Sequence, residues 1–252
     1  MARKLDTRNS LKVVLQNSFI KARPSQNMEI NAQKLLRMTI AQSSMKDEEF
    51  YEYEATGIEL ANIFGVTRQN IYQHIDKWTS QCMGTVMEFR KQEDRTFKKF
   101  PLFDMCEYRD GVLKMKLHKE MSPFVLGIRK ELGFTQYELA NILTVKGKYT
   151  IRLYEMIMLE MKNKKPYANN TVEIELSIAD IRTQTSTEKR YKQIGELKKN
   201  VIDKAFEELE QKMFWKIEVT DVKNGRTIVG MKLKIWSQAG FDYTQKGGFN
   251  FD

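Results

Sequence analysis

The chain has 252 residues, of which 41% are hydrophobic, enough for one large domain or two ordinary domains with packed cores. Its 42 Lys and Arg residues outnumber the 33 Asp and Glu residues, and the formal net charge of +9 favours a polyanionic partner. With two cysteines, no apolar run of membrane-spanning length and no signal peptide, the sequence indicates a cytoplasmic protein without a disulfide framework, zinc site or membrane partner.

The first part of the chain carries a helix-turn-helix pattern. Thr56–Ile63 is TGIELANI, and a Thr followed three residues later by Glu predicts a capping box at the start of a helix. Gly65 supplies the tight turn after it, and Thr67 is expected to cap the next helix. The predicted elements here are a helix at Met28–Ala41, a short strand at Phe50–Tyr53, a helix at Gly57–Phe64 and a helix from Thr67 to about Ser80.

A β-hairpin is predicted directly after these helices. Its arms are Leu102–Tyr108 and Leu113–His118, and Arg109–Gly111 forms the turn with the glycine that such turns favour. In the second arm apolar residues alternate with basic ones, which indicates a strand with one buried face. A helix-turn-helix followed by such a hairpin is a winged helix.

The TGIELANI string recurs almost unchanged at Thr135–Ile142, which is TQYELANI. The same Thr and Glu spacing predicts a second capped helix there. Further helices are expected from Ser122-Pro123 and over Tyr149–Met161. Lys162–Asn170, which is KNKKPYANN, has almost no apolar content and is the best linker candidate in the chain.

The same order of elements is predicted again after the linker. Thr185–Glu188 has a third capping-box pattern, and Asn224-Gly225 is a strong hairpin signal. The long helix has an apolar stripe at spacings of three and four residues. The predicted elements are a short helix at Ile178–Arg182, a long helix from about Tyr191 to Gln211, and strands around Trp215–Thr220 and Met231–Ile235.

These elements predict an α+β protein made of two tandem winged-helix domains. The first domain is predicted over residues 1–165 and the second over residues 166–252, with the junction near Pro166. The tail from Ser237 is rich in glycine and polar residues and is expected to be mobile. Two basic modules on one chain can bind a single duplex together, because the second binding step is then intramolecular.

The residues expected to contact DNA lie on the predicted reading helices and the second wing. Phosphate contacts would supply affinity, a few side chains would contact base edges, and Gln193 is a candidate for adenine. Ordinary solvated helix faces, or charges that protect a strand edge, are the alternative for the same residues. The candidates are Lys189, Arg190, Lys192, Gln193, Lys198, Lys199, Lys223 and Arg226 in the second domain, and Arg68, Gln69 and Lys77 in the first.

No catalytic, metal or cofactor site is predicted. The only histidines, His74 and His118, are far apart in sequence, and Gly147-Lys148 lacks the glycine spacing of a phosphate-binding loop. Tyr149, Arg152, Tyr154 and Glu155 are expected to be structural, with Arg152 paired to an acid or a backbone carbonyl. The protein is therefore expected not to be an enzyme.

Phe134–Met156 resembles the plasmid replication initiators that bind repeated sites called iterons and contain two winged-helix domains. The resemblance is carried by Arg152–Glu155, which is RLYE, with Lys148-Tyr149 before it. Leu197–Ala205 resembles the family's second-domain recognition helix, and the resemblance extends over roughly residues 86–236. One departure is the turn at 182–185, which is RTQT and lacks the glycine common in that family.

The resemblance implies a protein that binds double-stranded DNA at a plasmid origin. Monomers would bind direct repeats, promote opening of the origin and recruit the host initiator and replicative helicase. Dimers would repress their own promoter through an inverted repeat. The first domain would serve dimerisation and contacts with the DNA backbone, and the second would contact bases. A winged-helix repressor without replication activity and a strand-nicking replication enzyme are the alternatives.

Overall fold

The computed structural model describes most of the chain. The described residues are 2–6, 11–44, 46–91, 93, 95–128, 133–162, 164, 167 and 170–237. The tail that is expected to be mobile begins at Ser237, but Ser237 is the buried last residue of a strand, so the prediction is wrong at that residue. The rest of the tail, from 238 onward, and most of the predicted linker lie outside the described residues. The domain boundary near Pro166 therefore stays a prediction.

The part of the chain before residue 145 contains nine strands and six helices among the described residues. The strands are β1 Arg3–Lys4, β2 Lys12–Gln16, β3 Arg23–Pro24, β4 Tyr53–Thr56, β5 Val86–Lys91, β6 Thr96–Pro101, β7 Phe103–Arg109, β8 Val112–Leu117 and β9 Phe134–Glu138. The helices are α1 Asn17–Lys21, α2 Ile30–Ala41, α3 Gly57–Phe64, α4 Ile71–Gly84, α5 Ser122–Val125 and α6 Leu139–Leu143.

The later part continues with α7 and a three-stranded sheet. Its helices are α7 Thr150–Met161, α8 Ile178–Gln184, α9 Ile194–Leu197 and α10 Asp203–Met213, and a π-helical turn at Lys198–Ile202 joins the last two. Its strands are β10 Thr171–Ser177, β11 Trp215–Asn224 and β12 Thr227–Ser237.

Both parts follow one order of elements, which confirms the predicted pair of winged helices. In the first unit α2, β4, α3, α4, β7 and β8 succeed one another, and the strands lie in the order β4-β8-β7. In the second unit α7, β10, α8, α9–α10, β11 and β12 do the same, and the strands lie in the order β10-β12-β11. Helix α7 lies before the predicted junction near Pro166, so the repeated order begins within the residues predicted as the first domain. The inner face of each sheet is apolar, with Leu113 and Met115 buried in the first and Leu233 and Ile235 in the second.

One hairpin was not predicted. Strands β5 and β6 pair antiparallel and are inserted between α4 and β7, outside the winged-helix order. Phe89 and Phe100 stack with ring centroids 5.3 Å apart, and Phe124 stacks on Phe89 at 4.5 Å, which attaches the hairpin to the body of the first unit.

The first TGIELANI copy forms the predicted capped helix. The Thr56 hydroxyl accepts a hydrogen bond from the Glu59 amide, and the Glu59 carboxylate accepts one from the Thr56 amide at 2.9 Å. Gly65 ends α3 in the left-handed conformation at φ +66°, which glycine adopts without strain. The expected cap at Thr67 is wrong: its side chain makes no capping bond, and a 3-10 turn at Arg68–Asn70 precedes α4.

The second copy does not form the predicted capped helix. Phe134–Glu138 is strand β9, which pairs antiparallel with β2, and the helix begins only at Leu139. The Thr135 hydroxyl donates to the Asn17 side chain instead of capping. Pairing with β2 and burial of Tyr137 outweigh the local preference of the Thr and Glu for a helix start.

The two copies provide a matched pair for testing the cap. We expect Glu59→Ala to lower the free energy of unfolding by about 1 kcal/mol, because two hydrogen bonds at the start of α3 and a largely exposed ion pair with Lys4 at 2.9 Å are lost. Glu138→Ala changes the same position of the repeat but removes only a distant 3.7 Å contact with Lys12, so a loss below about 0.5 kcal/mol is expected. Urea denaturation of both variants measures the difference, and equal losses would contradict the assignment.

The two units share an ionic cluster buried inside the protein. The Glu155 carboxylate on α7 accepts hydrogen bonds from the Arg37 guanidinium on α2 at 2.8 and 3.0 Å, from Arg152 at 3.0 Å and from the Tyr137 hydroxyl at 2.6 Å. Arg152 also donates to the side chain of Gln184 on α8 and to the Ile20 carbonyl. The predicted structural role of Arg152 is confirmed, and the cluster connects helices of both winged helices.

Candidate nucleic-acid interface

The segment between α8 and α9 is a loop, although the sequence predicts a capping box within it. No helix begins at Thr185–Glu188, and the predicted helix start at Tyr191 is also wrong because α9 begins at Ile194. The Thr185 hydroxyl donates to the Ile181 carbonyl at 2.7 Å and lies 2.8 Å from the Thr187 hydroxyl. Both threonines are buried, so they pack the loop against α8 instead of opening a helix.

Arg182 at the end of α8 fixes the course of this loop. Its guanidinium donates to the carbonyl oxygens of Arg190 at 3.1 Å, Tyr191 at 2.8 Å and Lys192 at 3.1 Å. Ser186 and Tyr191 have φ values of +50° and +49°, so non-glycine residues make the turns for which the sequence offers no glycine. Lys189, Arg190 and Lys192 consequently lie on an ordered backbone just before α9.

Tyr149 lies against the same loop. The pKa of its hydroxyl is raised, first by burial and then by hydrogen bonding with Tyr191, while the nearby Arg190 guanidinium opposes the increase. Arg190 is exposed to solvent. Its guanidinium nevertheless lies beside Tyr149, at the start of α7. Lys189 and Lys192 are exposed as well and have no such neighbour in the described structure.

The helix that follows carries two adjacent lysines with different surroundings. Lys198 is partly buried, and its ammonium lies 2.7 Å from the Asp221 carboxylate on β11. This ion pair attaches the start of the helix to one arm of the wing. Lys199, the next residue, is exposed. Of the two predicted DNA contacts, Lys199 is therefore the one with a free ammonium.

The wing of the second unit is the predicted β11–β12 hairpin. Asn224 pairs with Thr227 across the turn, and Gly225 has a φ of +60°. Lys223 and Arg226 flank this turn, and both are exposed. Asp221 lies on β11 two residues before Lys223. The Lys198–Asp221 ion pair therefore joins the helix to the wing close to the wing turn.

The second unit therefore presents cations from three elements: the loop, the helix and the wing. Residues 185–200 contain five basic residues against two acidic ones. Among the described residues, none of the following cations forms an ion pair, and all are exposed: Lys189, Lys192, Lys199, Lys223 and Arg226. Gln193, the candidate for adenine, is exposed beside them and does not cap α9 with its side chain.

The predicted DNA-contacting residues of the first unit include fewer unpaired cations than those of the second. Arg68 and Gln69 are exposed in the 3-10 turn before α4, as the sequence suggests. Lys77 is engaged, because its ammonium lies 2.5 Å from the Glu29 carboxylate. Among the described residues, one of the two predicted cations of the first unit lacks an ion pair, as do six of the seven in the second unit, Arg190 included.

Two positions that hold the interface elements in place are not indicated by the sequence. Arg182 organises the cationic loop, and the missing glycine after it was the available signal. Glu208 on α10 accepts hydrogen bonds from the Gly147 amide at 2.8 Å and the Thr150 hydroxyl at 2.5 Å, which attaches the long helix to the start of α7. No sequence pattern indicates that contact, because it joins residues far apart in the chain.

We expect Arg182→Lys to weaken DNA binding by roughly 10-fold, because one ammonium cannot replace a guanidinium that serves several carbonyls. The amides of the loop should exchange with solvent faster in this variant. Fluorescence anisotropy with a duplex and hydrogen exchange at 187–193 measure both effects. Lys212→Ala, which removes an exposed cation from the far end of α10, serves as the control. Unchanged exchange in Arg182→Lys would contradict the assigned role.

The histidines have structural neighbours. His74 stacks on Trp78 with ring centroids 5.4 Å apart, and the His118 imidazole accepts a hydrogen bond from the Glu120 amide. Within the described ranges, no group of three His, Cys, Asp or Glu side chains is arranged to hold a metal ion. The helices of that part of the chain are also too short or too polar to cross a membrane.

Comparison with known proteins finds matches for both units. The family model described as Initiator Replication protein, WH1 matches residues 12–158, and the model described as Initiator Rep protein, WH2 matches residues 177–235. A replication initiation protein from Escherichia coli is 24% identical over 144 residues, which are 57% of this chain and only 44% of that protein. The crystal structure of Pi initiator protein in complex with iteron DNA has the same fold, with a TM-score of 0.72, 17% identity and coverage of 91% of this chain and 98% of that one.

Proposed function

Because the chain belongs to the family of initiator replication proteins, we propose that it initiates plasmid replication by binding repeated double-stranded sites, or iterons, at the origin. The E. coli relative is described as a replication initiation protein, and the Pi initiator was crystallised with iteron DNA. The two winged helices of this chain supply two helix-turn-helix surfaces, each of which can occupy a groove of one duplex.

The observation that carries this proposal is the set of unpaired cations on the second unit. Lys189 and Lys192 precede the helix, Lys199 lies on it, and Lys223 and Arg226 flank the wing turn. Phosphate oxygens are the natural partners of exposed ammonium and guanidinium groups that have no carboxylate nearby. Arg190, Lys198 and Gln193 complete the predicted set of the second unit, with Lys198 positioning the wing through Asp221. The predicted contacts of the first unit are Arg68, Gln69 and Lys77.

The finer parts of the function belong to the same proposal. Monomers bind direct repeats and help to open the origin, and the host initiator and replicative helicase are then recruited. Dimers repress the promoter of the protein's own gene through an inverted repeat. The protein acts in the cytoplasm and without a cofactor or catalytic residue, so the energy for opening derives from binding.

DNase protection on the DNA that surrounds the coding region tests the proposal. We expect regularly spaced protected segments over a tandem repeat array, filled cooperatively as the protein concentration rises. Protection of no repeat array would contradict the initiator assignment.

A plasmid that carries only the candidate origin, with the protein supplied in trans, distinguishes an initiator from a repressor. Replication of that plasmid is expected, and its failure together with repression of the promoter would favour the repressor. Incubation of supercoiled origin DNA with the protein and Mg²⁺ is expected to leave no nicked circles, which a strand-nicking enzyme would produce.

A further inference from the structure

The cationic loop between α8 and α9, residues 185–193, is attached to the first unit at its beginning. Gln184, the last residue of α8, donates from its side chain to the Lys21 carbonyl at 2.7 Å. The Ser186 hydroxyl donates to the Pro24 carbonyl at 3.0 Å. Both acceptors belong to the first unit, at the end of α1 and in strand β3. The first half of the loop therefore takes its position from the first unit.

An ion pair completes this contact between the two units. The Arg23 guanidinium on β3 lies 3.0 Å from the Glu188 carboxylate in the loop, and the two side chains are 47% and 32% exposed. The backbone of Arg23 pairs with that of Glu88 on β5. The Glu88 carboxylate, however, is already engaged by Arg90 and Lys99. Glu188 is therefore the acid that Arg23 neutralises.

Glu188 occupies a position in the loop where a negative charge would oppose DNA binding. It is the one acidic residue among residues 185–192, and Lys189 follows it directly. The Arg190 amide donates to the Thr187 carbonyl at 2.9 Å, so the acid and the lysine share one tight turn. An unpaired carboxylate in this turn would lie among the phosphate contacts proposed for the loop and would repel the phosphates.

We propose that Arg23 of the first unit is a positioning residue for DNA binding by the second unit: it holds the Glu188 carboxylate against β3, neutralised and away from the duplex. The first winged helix thereby raises the DNA affinity of the second without a DNA contact of its own at this position. An exposed ion pair adds little to the stability of a protein, so the effect of Arg23 is expected in DNA binding and not in folding. This inference rests on the proposed function, because it requires that the loop contact duplex DNA.

A double-mutant cycle measured by fluorescence anisotropy tests the inference. Two labelled duplexes are used, one carrying a candidate direct repeat from the DNA around the coding region and one of mixed sequence. Arg23→Ala should weaken binding to both by about 5- to 10-fold, because it leaves an unpaired carboxylate beside the phosphates. Glu188→Gln and Arg23→Ala/Glu188→Gln should both bind within about 2-fold of the unaltered protein, since neither leaves that carboxylate. Arg23→Lys keeps the positive charge and should also bind normally.

Two substitutions elsewhere control for charge alone. Lys98→Ala removes the cation of a similarly exposed ion pair, formed with Glu120 on the far side of the β5–β6 hairpin sequence, and should weaken binding by less than about 2-fold. Glu196 is an exposed acid on α9, just after the loop. Arg23→Ala/Glu196→Gln has the same net charge as Arg23→Ala/Glu188→Gln but should stay weak. Thermal unfolding should show equal stability for all these variants.

The outcomes separate the roles that Arg23 could have. If Arg23→Ala binds as tightly as the unaltered protein, the ion pair has no part in binding and the inference is wrong. If Arg23→Ala/Glu188→Gln stays as weak as Arg23→Ala, Arg23 contacts DNA directly, which also contradicts the inference. Equal restoration by Glu196→Gln would show that net charge alone decides. If the unaltered protein binds the repeat no more tightly than the mixed sequence, the proposed function fails, while the mixed-sequence duplex still reports on Arg23.

Discussion

Glu155→Gln is expected to lower the free energy of unfolding by about 3–5 kcal/mol, the largest effect of any single substitution proposed for this protein. The carboxylate is fully buried and lies between two guanidiniums, those of Arg37 and Arg152. A neutral amide leaves both cations without a counterion in a medium of low polarity. Because the cluster joins α2, α7 and α8, both winged helices should lose stability together.

Urea denaturation followed by circular dichroism measures this loss, with Glu207→Gln as the control. Glu207 is exposed on α10, so its substitution should change stability by less than about 0.5 kcal/mol. If Glu155→Gln lowers the free energy of unfolding by less than about 1 kcal/mol, the carboxylate is only weakly coupled to the two guanidiniums.

The same substitution should change the acid sensitivity of the protein. Burial alone raises the pKa of Glu155, but Arg37 and Arg152 outweigh it and hold the pKa below its usual value in the folded state. The stabilisation is therefore complete above the unfolded-state pKa of about 4.3 and is lost as the pH falls through the lower folded-state pKa. Below about pH 4 the unaltered protein should lose stability more steeply than Glu155→Gln. If the free energy of unfolding falls equally steeply with decreasing pH in both proteins, the lowered pKa of Glu155 is contradicted.

The largest effect on DNA binding is expected from removing unpaired cations of the second unit. If about six phosphates are neutralised, the slope of log affinity against log salt is near −5, and each lost contact removes about 0.9. Changing four cations to Ala should therefore reduce the slope to about −2 and weaken binding roughly 10²- to 10³-fold at 0.15 M salt. The substituted residues are Lys189, Lys192, Lys199 and Arg226.

Lys232→Ala/Lys234→Ala is the control for this variant. Both lysines are exposed and lie on the outer face of the β10–β12–β11 sheet, opposite Glu175 and Glu173 on β10. Their removal should leave the salt slope unchanged, which anisotropy titrations at several salt concentrations will show. If the slope of log affinity against log salt becomes shallower by a similar amount in both variants, net charge and not this surface determines DNA binding.

The sequence was most informative where structure depends on neighbouring residues. The hairpin around Gly225 and the apolar stripe of the long helix are determined by turn chemistry and helical spacing. Of the predicted stripe, Ile194 is half-buried and the other four residues are buried: Leu197, Val201, Ala205 and Leu209. The exposure of Lys189 and Lys192 could also be anticipated, since no apolar pattern places them inside.

Where the sequence misled, a distant partner decided the outcome. Thr135 and Glu138 repeat the spacing of the capping box in α3. They form strand β9 instead, because they pair with β2, which lies more than one hundred residues earlier in the chain. Likewise, nothing near Lys198 in the sequence indicates its ion pair with Asp221 on β11. Local preference amounts to about 1 kcal/mol, which a registered strand pair readily exceeds.

Helix α7 gives the two units a common structural element. It packs against β9 and α1 of the first unit and against β10 and α10 of the second, and its Tyr154 ring stacks on Trp215 at 5.8 Å. A truncated polypeptide that starts after Met161 would leave that apolar surface bare and should aggregate. Transplanting the second unit into another protein therefore requires a start before Thr150, so these modules cannot be recombined by cutting at the apparent linker.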